Sequence, residues 1–289
     1  MKIRKAVIPA AGWGTRFLPA TKVLPKEMLP LIDKPLVQYI VEEAISSGIE
    51  QIIIVTSFGK GAMEDHFDRD FELEYMLEQR GEKELLDKVR RISDLDNICY
   101  IRQKEQLGLG HAVLAAKELV GDEPFAVLLP DDIFEAKVPM LKQVVDVYQR
   151  YGASVIAVRR VAREEAKRYG IIKPKQLEER VYQVLDLVEK PEPEEAPSDL
   201  AILGRYVLTP EVFKTLVITP AGKGREIQLT DGLRLLLQKQ AVYGYEFEGQ
   251  YYDAGKPLGL LKAAVALGLK RPDIGAEFKE YLRGLVADL

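Results

Sequence analysis

The sequence predicts an α/β domain in which a mixed, mainly parallel sheet is flanked by helices. Two observations carry this. Residues 6–10, 51–56, 98–102, 125–129 and 154–158 are short, continuous apolar runs rich in β-branched residues, the pattern of strands buried on both faces. Between most of them lie segments of helical periodicity long enough to cross over between parallel neighbours. The rhythm suits a Rossmann-like arrangement, which holds its ligands outside the carboxyl ends of the strands.

Taken in order, the first crossover places Leu36, Ile40, Val41, Ala44 and Ile45 on one helical face, with Pro35 at the first turn and Gly48 as a C-cap. Residues 64–93, rich in charge and helix formers, read as an inserted helical excursion. Residues 109–120 and 140–151 behave as further helices, the second stopped by Gly152. Beyond Val158 the rhythm changes: 170–173, 181–189 and 200–208 look like strands without full helices between them, so the sheet gains antiparallel members there. The stretch "EKPEPEEAPSD" is a surface loop by composition, yet it begins with the Glu189–Lys190 pair at a strand end. Residues 257–289 read as helical, with Leu260, Leu261, Ala264 and Val265 forming a stripe that caps the domain or meets another subunit.

Composition narrows the function. With 289 residues, 47% of them hydrophobic, the chain has the material for one large core and reads as a single domain over 1–289. Its 41 basic and 45 acidic residues leave a net charge of -4, so no global positive field recruits nucleic acid, and any anion must be bound locally. No run reaches the ~18 apolar residues of a membrane span, and the opening "MKIRK" enters a strand rather than a leader, which points to a cytoplasmic protein. Cys99, the single cysteine, reads as an ordinary strand residue, and two histidines do not supply a His-rich metal site.

The most informative stretch is "KAVIPAAGWGTRFLPATKVLPKEMLPL". A dinucleotide fingerprint needs a third small residue where Phe17 stands, and neither Gly59-Lys60 nor Gly222-Lys223 continues into the Ser or Thr of a phosphate-binding P-loop. What remains is a loop much longer than the ~2–6 residues of an ordinary strand-to-helix connection. Gly12 and Gly14 let backbone N–H groups approach a phosphate, Arg16 can fork two of its oxygens, Lys26 adds a point charge, and the prolines stiffen the loop.

With "RQKEQLGLGHA", "LLPDD", "VEKP", "LAILGRYVL" and "EIQLTD" following in order, the chain resembles the sugar nucleotidyltransferases over essentially its whole length. The insertion at 64–93, "GLGHA" and "EIQLTD" resemble the branch that uses UTP. Trp13, between the glycines, and Arg225, before Glu226, depart from the family's pattern without removing a functional group.

The resemblance implies transfer of a uridylyl group from UTP to glucose 1-phosphate by in-line attack on the α-phosphorus, assisted by Mg2+. In that reading Arg16, Lys26, Asp131 and Lys190 are catalytic. Ala11, Gly12, Gly14, Gln103 and Gly108 bind the nucleotide, with Gln103 on the uracil edge and Gly108 letting a ring lie close to the backbone. Gly170, Glu189 and Lys190 bind the sugar phosphate. Asp131, at the end of the 125–129 run, and Asp253, in "YYDAGKP", hold the metal; Asp132 is left as a turn residue and His111 as structural. Residues 1–160 become the nucleotide half, 161–256 the sugar half and 257–289 C-terminal helices of a homodimer or homotetramer. A thymidylyl-transferring relative and a non-catalytic nucleotide-sugar-binding module are the alternatives. Retention of both Asp131 and Asp253 with Arg16, Lys26 and Lys190 argues against the second.

Overall fold

A computed structural model describes residues 2–95 and 97–287. Asp288 and Leu289, the end of the expected helical tail, lie outside the described residues.

The strands are β1 (Lys5–Pro9), the short pair β2 (Pro30–Leu31) and β3 (Lys34–Pro35), β4 (Gln51–Thr56), β5 (Ile98–Arg102), β6 (Phe125–Leu128), β7 (Asp132–Glu135), β8 (Ser154–Arg160), β9 (Gly170–Glu178), β10 (Val181–Glu189), β11 (Leu200–Leu208), β12 (Val242–Glu246) and β13 (Gln250–Asp253). Among the described residues nine of them form one sheet in the order β5-β4-β1-β6-β11-β8-β12-β10-β9. From β5 to β6 every pairing is parallel. Antiparallel pairing begins at β11, the third strand after Val158, with β12 parallel to β8. The expected change in sheet character is therefore present.

Side chains alternate across the central strands, so both faces need cover. Ala6, Ile8, Ile52, Ile54, Ala126 and Leu128 point to one core, while Val7, Ile53, Val55, Phe125 and Val127 point to the other. The first core is closed by α1 (Leu36–Ser46), by α2 (Gly61–Phe67), and by two helices further along the chain. The rest of the excursion forms α3 (Phe71–Gln79) and α4 (Lys83–Ser93). Residues 109–120 are two helices rather than one, α5 (Leu109–Ala115) and α6 (Lys117–Val120). Next come α7 (Met140–Tyr151), ended by Gly152 at φ 65°, and α8 (Glu211–Ile218), α9 (Leu229–Leu236), α10 (Pro257–Gly268) and α11 (Gly275–Ala287). Buried residues of α7 and α10 complete the first core, and those of α5, α8 and α9 the second. Of the C-terminal stripe, Leu260 and Ala264 pack on the first core while Leu261 faces outward. No helix among the described residues is long and apolar enough to cross a membrane.

One buried ion pair fixes the strand ends beneath the site. Arg205 of β11 is fully buried, and its five N–H groups are all engaged. Two meet the Glu43 carboxylate of α1 at 2.9 and 2.7 Å, and three meet the carbonyls of Leu129, Gly204 and Asp132. Glu43 Oε1 also accepts the backbone N–H of Leu141 in the first turn of α7. The turn that carries Asp131 is thus tied on both sides to one guanidinium.

Candidate active site

A cleft of about 750 Å3 opens at the carboxyl ends of β1 and β6, with the glycine loop as one wall. The loop is built from three short helical turns at Thr15–Phe17, Ala20–Lys22 and Lys26–Met28. Gly14 stands at φ 66°, and a Cβ there would come within 3.0 Å of Lys26 Cβ and 3.2 Å of Thr21 Cγ2, so the turn closes only on glycine. Thr21 donates its hydroxyl to the Gly14 carbonyl at 2.8 Å. Around Gly12 the corresponding space is open, which leaves its backbone accessible to a ligand.

Sequence reasoning missed what supports the loop. Lys60, just before α2, donates to the Ala10 carbonyl at 2.5 Å and to Glu27 Oε2 at 2.8 Å, and both side chains are buried. Burial raises the Glu27 carboxyl above its ordinary pKa and lowers that of the Lys60 ammonium. The pair anchors the root of the loop to the end of β1.

Asp131 projects into the cleft at the end of β6 and takes the Lys26 ammonium at 2.7 Å. Burial opposes both charges, but each is outweighed by the other: Lys26 sits above its ordinary pKa and Asp131 below it. Asp253 reaches the same place from β13. The Ala254 N–H donates to the Asp131 carbonyl at 2.8 Å, and a Cβ on Gly255 would lie 2.6 Å from Asp131 Oδ2 and 3.2 Å from Asp253 Oδ1. Both carboxylates therefore surround one point, and only glycine leaves it open. Lys256 closes an ion pair with Asp253. Among the described residues there is no cluster of three or more His, Cys, Asp and Glu suited to a metal. Two carboxylates beside open space nevertheless fit Mg2+, which takes one or two carboxylates and fills its shell with phosphate oxygens and water.

Asp132, left as a turn residue, is a buried brace. Its Oδ2 accepts the Gly204 N–H and its Oδ1 the Tyr251 hydroxyl, each at 2.7 Å. Burial and the neighbouring Asp131 charge push its pKa up to about 7.

At the other end of the cleft Glu189 and Gly170 are paired across β10 and β9. Lys190 follows at φ 46°, its N–H bonded to the Tyr169 carbonyl and its ammonium 2.8 Å from Glu189. Gly12, Gly14, Arg16, Lys26, Asp131, Gly170, Glu189, Lys190 and Asp253 all line this one cleft. So do Lys167, Tyr169, Thr230, Tyr251 and Lys256, which sequence reading did not single out. Tyr251 and Lys256 flank Asp253 in a stretch that was already quoted.

Three residues expected at the nucleotide, Ala11, Gln103 and Gly108, are not among those that line this cleft. Ala11 and Gln103 are buried, following β1 and β5, with the Gln103 N–H on the Thr56 carbonyl at the end of β4. Gln103 Nε2 meets the Gly108 carbonyl at 3.2 Å and His111 Nδ1 at 2.8 Å, which makes Gln103 and His111 partners. Gly108 packs closely against a neighbouring segment. A Cβ there would come within 2.7 Å of Glu226 Cβ and 2.8 Å of the Ile227 carbonyl, and its φ is 102°. Its missing side chain admits the backbone of Ile227.

Known proteins resemble this chain in sequence and in fold. A UTP–glucose-1-phosphate uridylyltransferase of Staphylococcus epidermidis is 55% identical over 284 residues, covering 98% of this chain and 99% of that protein. The UTP-bound UGPase of Acinetobacter baumannii superposes with a TM-score of 0.91 at 42% identity, covering 97% of this chain and 99% of that one. A UDP-glucose pyrophosphorylase complexed with UDP-glucose gives 0.87 at 45% identity, covering 93% and 100%. Residues 5–268 match the nucleotidyl transferase family model, and this chain belongs to that family.

Proposed function

We propose that this chain transfers the uridylyl group of UTP to glucose 1-phosphate, forming UDP-glucose and pyrophosphate. The observation that carries the reading is the meeting, in one cleft, of the Arg16 and Lys26 cations with the Asp131 and Asp253 carboxylates and the Glu189–Lys190 pair. Relatives named for this reaction at 55% identity over nearly the whole chain support it.

The attacking group is an oxygen of the sugar phosphate, already an anion, so no proton need be removed from it. Its bond to the α-phosphorus forms as the bond from that phosphorus to the bridging oxygen breaks, and pyrophosphate leaves with the electron pair. Repulsion between two polyanions is the obstacle, and catalysis consists of positioning and charge neutralisation. Arg16 forks phosphate oxygens, Lys26 adds a point charge, and the N–H groups of Gly12 and Gly14 complete the cradle. The main chain of Ala11 and the carbonyl oxygen of Gln103 meet the uracil edge. Gly108 lets the uracil ring lie close to the backbone and keeps its loop against Ile227. Glu189 accepts hydrogen bonds from the hexose hydroxyls, Gly170 backs it, and Lys190 pairs with its phosphate. Mg2+ on Asp131 and Asp253, when bound, neutralises triphosphate charge.

In this reading residues 1–160 hold the nucleotide and 161–256 the sugar. The exposed Leu258, Leu261, Tyr281 and Val286 of α10 and α11 support a dimer or tetramer of this chain, working in the cytoplasm. A pyrophosphate-release assay crossing four nucleoside triphosphates with a panel of sugar 1-phosphates, with and without Mg2+, tests the assignment. UTP with glucose 1-phosphate should give the highest kcat/KM and should need the metal. A higher value with dTTP would make the chain a thymidylyltransferase, and no release from any pair would make it a binding module.

A further inference from the structure

We infer that Lys256 holds the divalent cation out of the cleft until nucleotide arrives: its ammonium neutralises Asp253 in the free enzyme and passes to phosphate oxygens when cation and triphosphate enter together. The inference rests on the metal reading of Asp131 and Asp253 given above.

Each of those carboxylates is already matched with a lysine, Asp131 with Lys26 and Asp253 with Lys256. A divalent cation placed between the carboxylates must displace at least one ammonium or bear its repulsion. The two lysines are not equally able to yield. Lys26 belongs to a packed turn, its Cβ lying 3.0 Å from where a Cβ on Gly14 would stand, and it is largely buried. Lys256 precedes the first turn of α10 in extended backbone, with a side chain that is one-third exposed and lines the cleft. Its stem can swing toward the cleft without any change in the fold.

The consequence is a coupling between two ligands. In the free enzyme a competing positive charge on Asp253 weakens cation binding, on the order of tenfold or more for charges a few ångströms apart at a partly exposed site. Once a triphosphate lies in the cleft, its oxygens offer the ammonium another partner and the penalty disappears. By linkage the nucleotide then raises the affinity for the cation, and the cation that for the nucleotide, by the same factor.

The test is a titration of the nucleotide-free, full-length protein with Mn2+, read by electron paramagnetic resonance of the unbound ion and repeated with saturating UTP. Lys256→Met and Lys256→Gln should each lower the Mn2+ Kd of the free enzyme by about tenfold or more, while Lys256→Arg stays within about threefold of wild type. With UTP bound, the gap between Lys256→Met and wild type should close to less than about threefold. Two uncharged variants guard against one that misfolds, which thermal unfolding would reveal. If Asp131→Asn and Asp253→Asn weaken Mn2+ binding but neither uncharged Lys256 variant tightens it, the role of Lys256 is overturned and the metal reading stands. If the aspartate variants bind Mn2+ as wild type does, the metal reading and the Lys256 proposal fall together. A tightening that persists undiminished with UTP refutes the hand-over to phosphate.

Discussion

The two walls of the cleft are ordered by different means. The glycine-loop wall has no long strand: short helical turns, the Thr21–Gly14 bond and the buried Lys60–Glu27 pair hold it, and Lys26 reaches across to Asp131. On the opposite wall the proposed site residues stand at strand ends, Glu189 opposite Gly170 and Asp253 opposite Asp132, so ladder register sets their positions. One wall is assembled by charge and the other by backbone. Substitutions that remove charge in the cleft should therefore damage turnover and spare the fold, whereas those beneath the strand ends should do the reverse.

The largest expected effect lies beneath the strands. Arg205→Met leaves Glu43 buried without its partner and should cost about 3–5 kcal/mol, a fall of roughly 5–8 °C in Tm for a chain of this size. Adding Glu43→Leu should recover much of that loss, because removing both charges is milder than stranding one. An unaltered Tm in the single variant would mean that the strand ends are not held by this pair. Next comes the charge-built wall. Asp131→Asn should lower kcat by about 10²–10³-fold, equivalent to roughly 3–4 kcal/mol, with an unchanged circular dichroism spectrum. Near-normal turnover at saturating Mg2+ would remove Asp131 from the chemistry.

That contrast also explains what could be read from the sequence. Strands β4 and β5 end where their apolar runs end, and β10 and β11 keep the bounds their β-branched and aromatic residues set. The glycine loop, Asp131 and the Glu189–Lys190 pair were legible for the same reason, each following directly on such a run. Other features depend on distance in the fold rather than in the chain. Glu43 and Arg205 are 162 residues apart and Glu27 and Lys60 are 33 apart, so no local period announces either pair. Short β7 and β13, which build the second carboxylate into the site, pair only with each other and carry mixed sequences. At Gly108 the glycine marks a close approach, and the Ile227 backbone that approaches lies far along the chain.

Smaller effects sharpen the comparison. Lys190→Ala should raise KM for glucose 1-phosphate about tenfold, the scale of one charge-assisted contact, and KM for UTP much less. The opposite ranking would move Lys190 to the nucleotide wall. Arg225, one of the two departures from the family's pattern, stands at φ 61° beside Gly224 at φ 76°. A left-handed conformation costs a side-chain-bearing residue about 1–2 kcal/mol, and glycine gives part of that back through the freer unfolded chain. Arg225→Gly should therefore stabilise by about 0.5–1 kcal/mol, raising Tm by roughly 1–2 °C. A lower Tm would show that the guanidinium makes contacts worth more than the strain.

The smallest effect tests whether the charge-built style extends beyond the cleft, into the helical excursion. Glu74 of α3 accepts Arg69 at 3.0 and 2.6 Å and Arg90 of α4 at 3.0 Å, and these bonds bring its pKa down to about 2. A carboxyl depressed in the folded state stabilises that state above its unfolded pKa, and the contribution fades as pH falls from about 4.5 toward about 2. Hydrogen exchange in α3 and α4 should accordingly show wild type more protected than Glu74→Gln at pH 5, with the gap shrinking by pH 3 and gone below pH 2. If the gap is constant across that range, Glu74 holds the two helices by shape rather than charge, and the charge-built style is confined to the cleft.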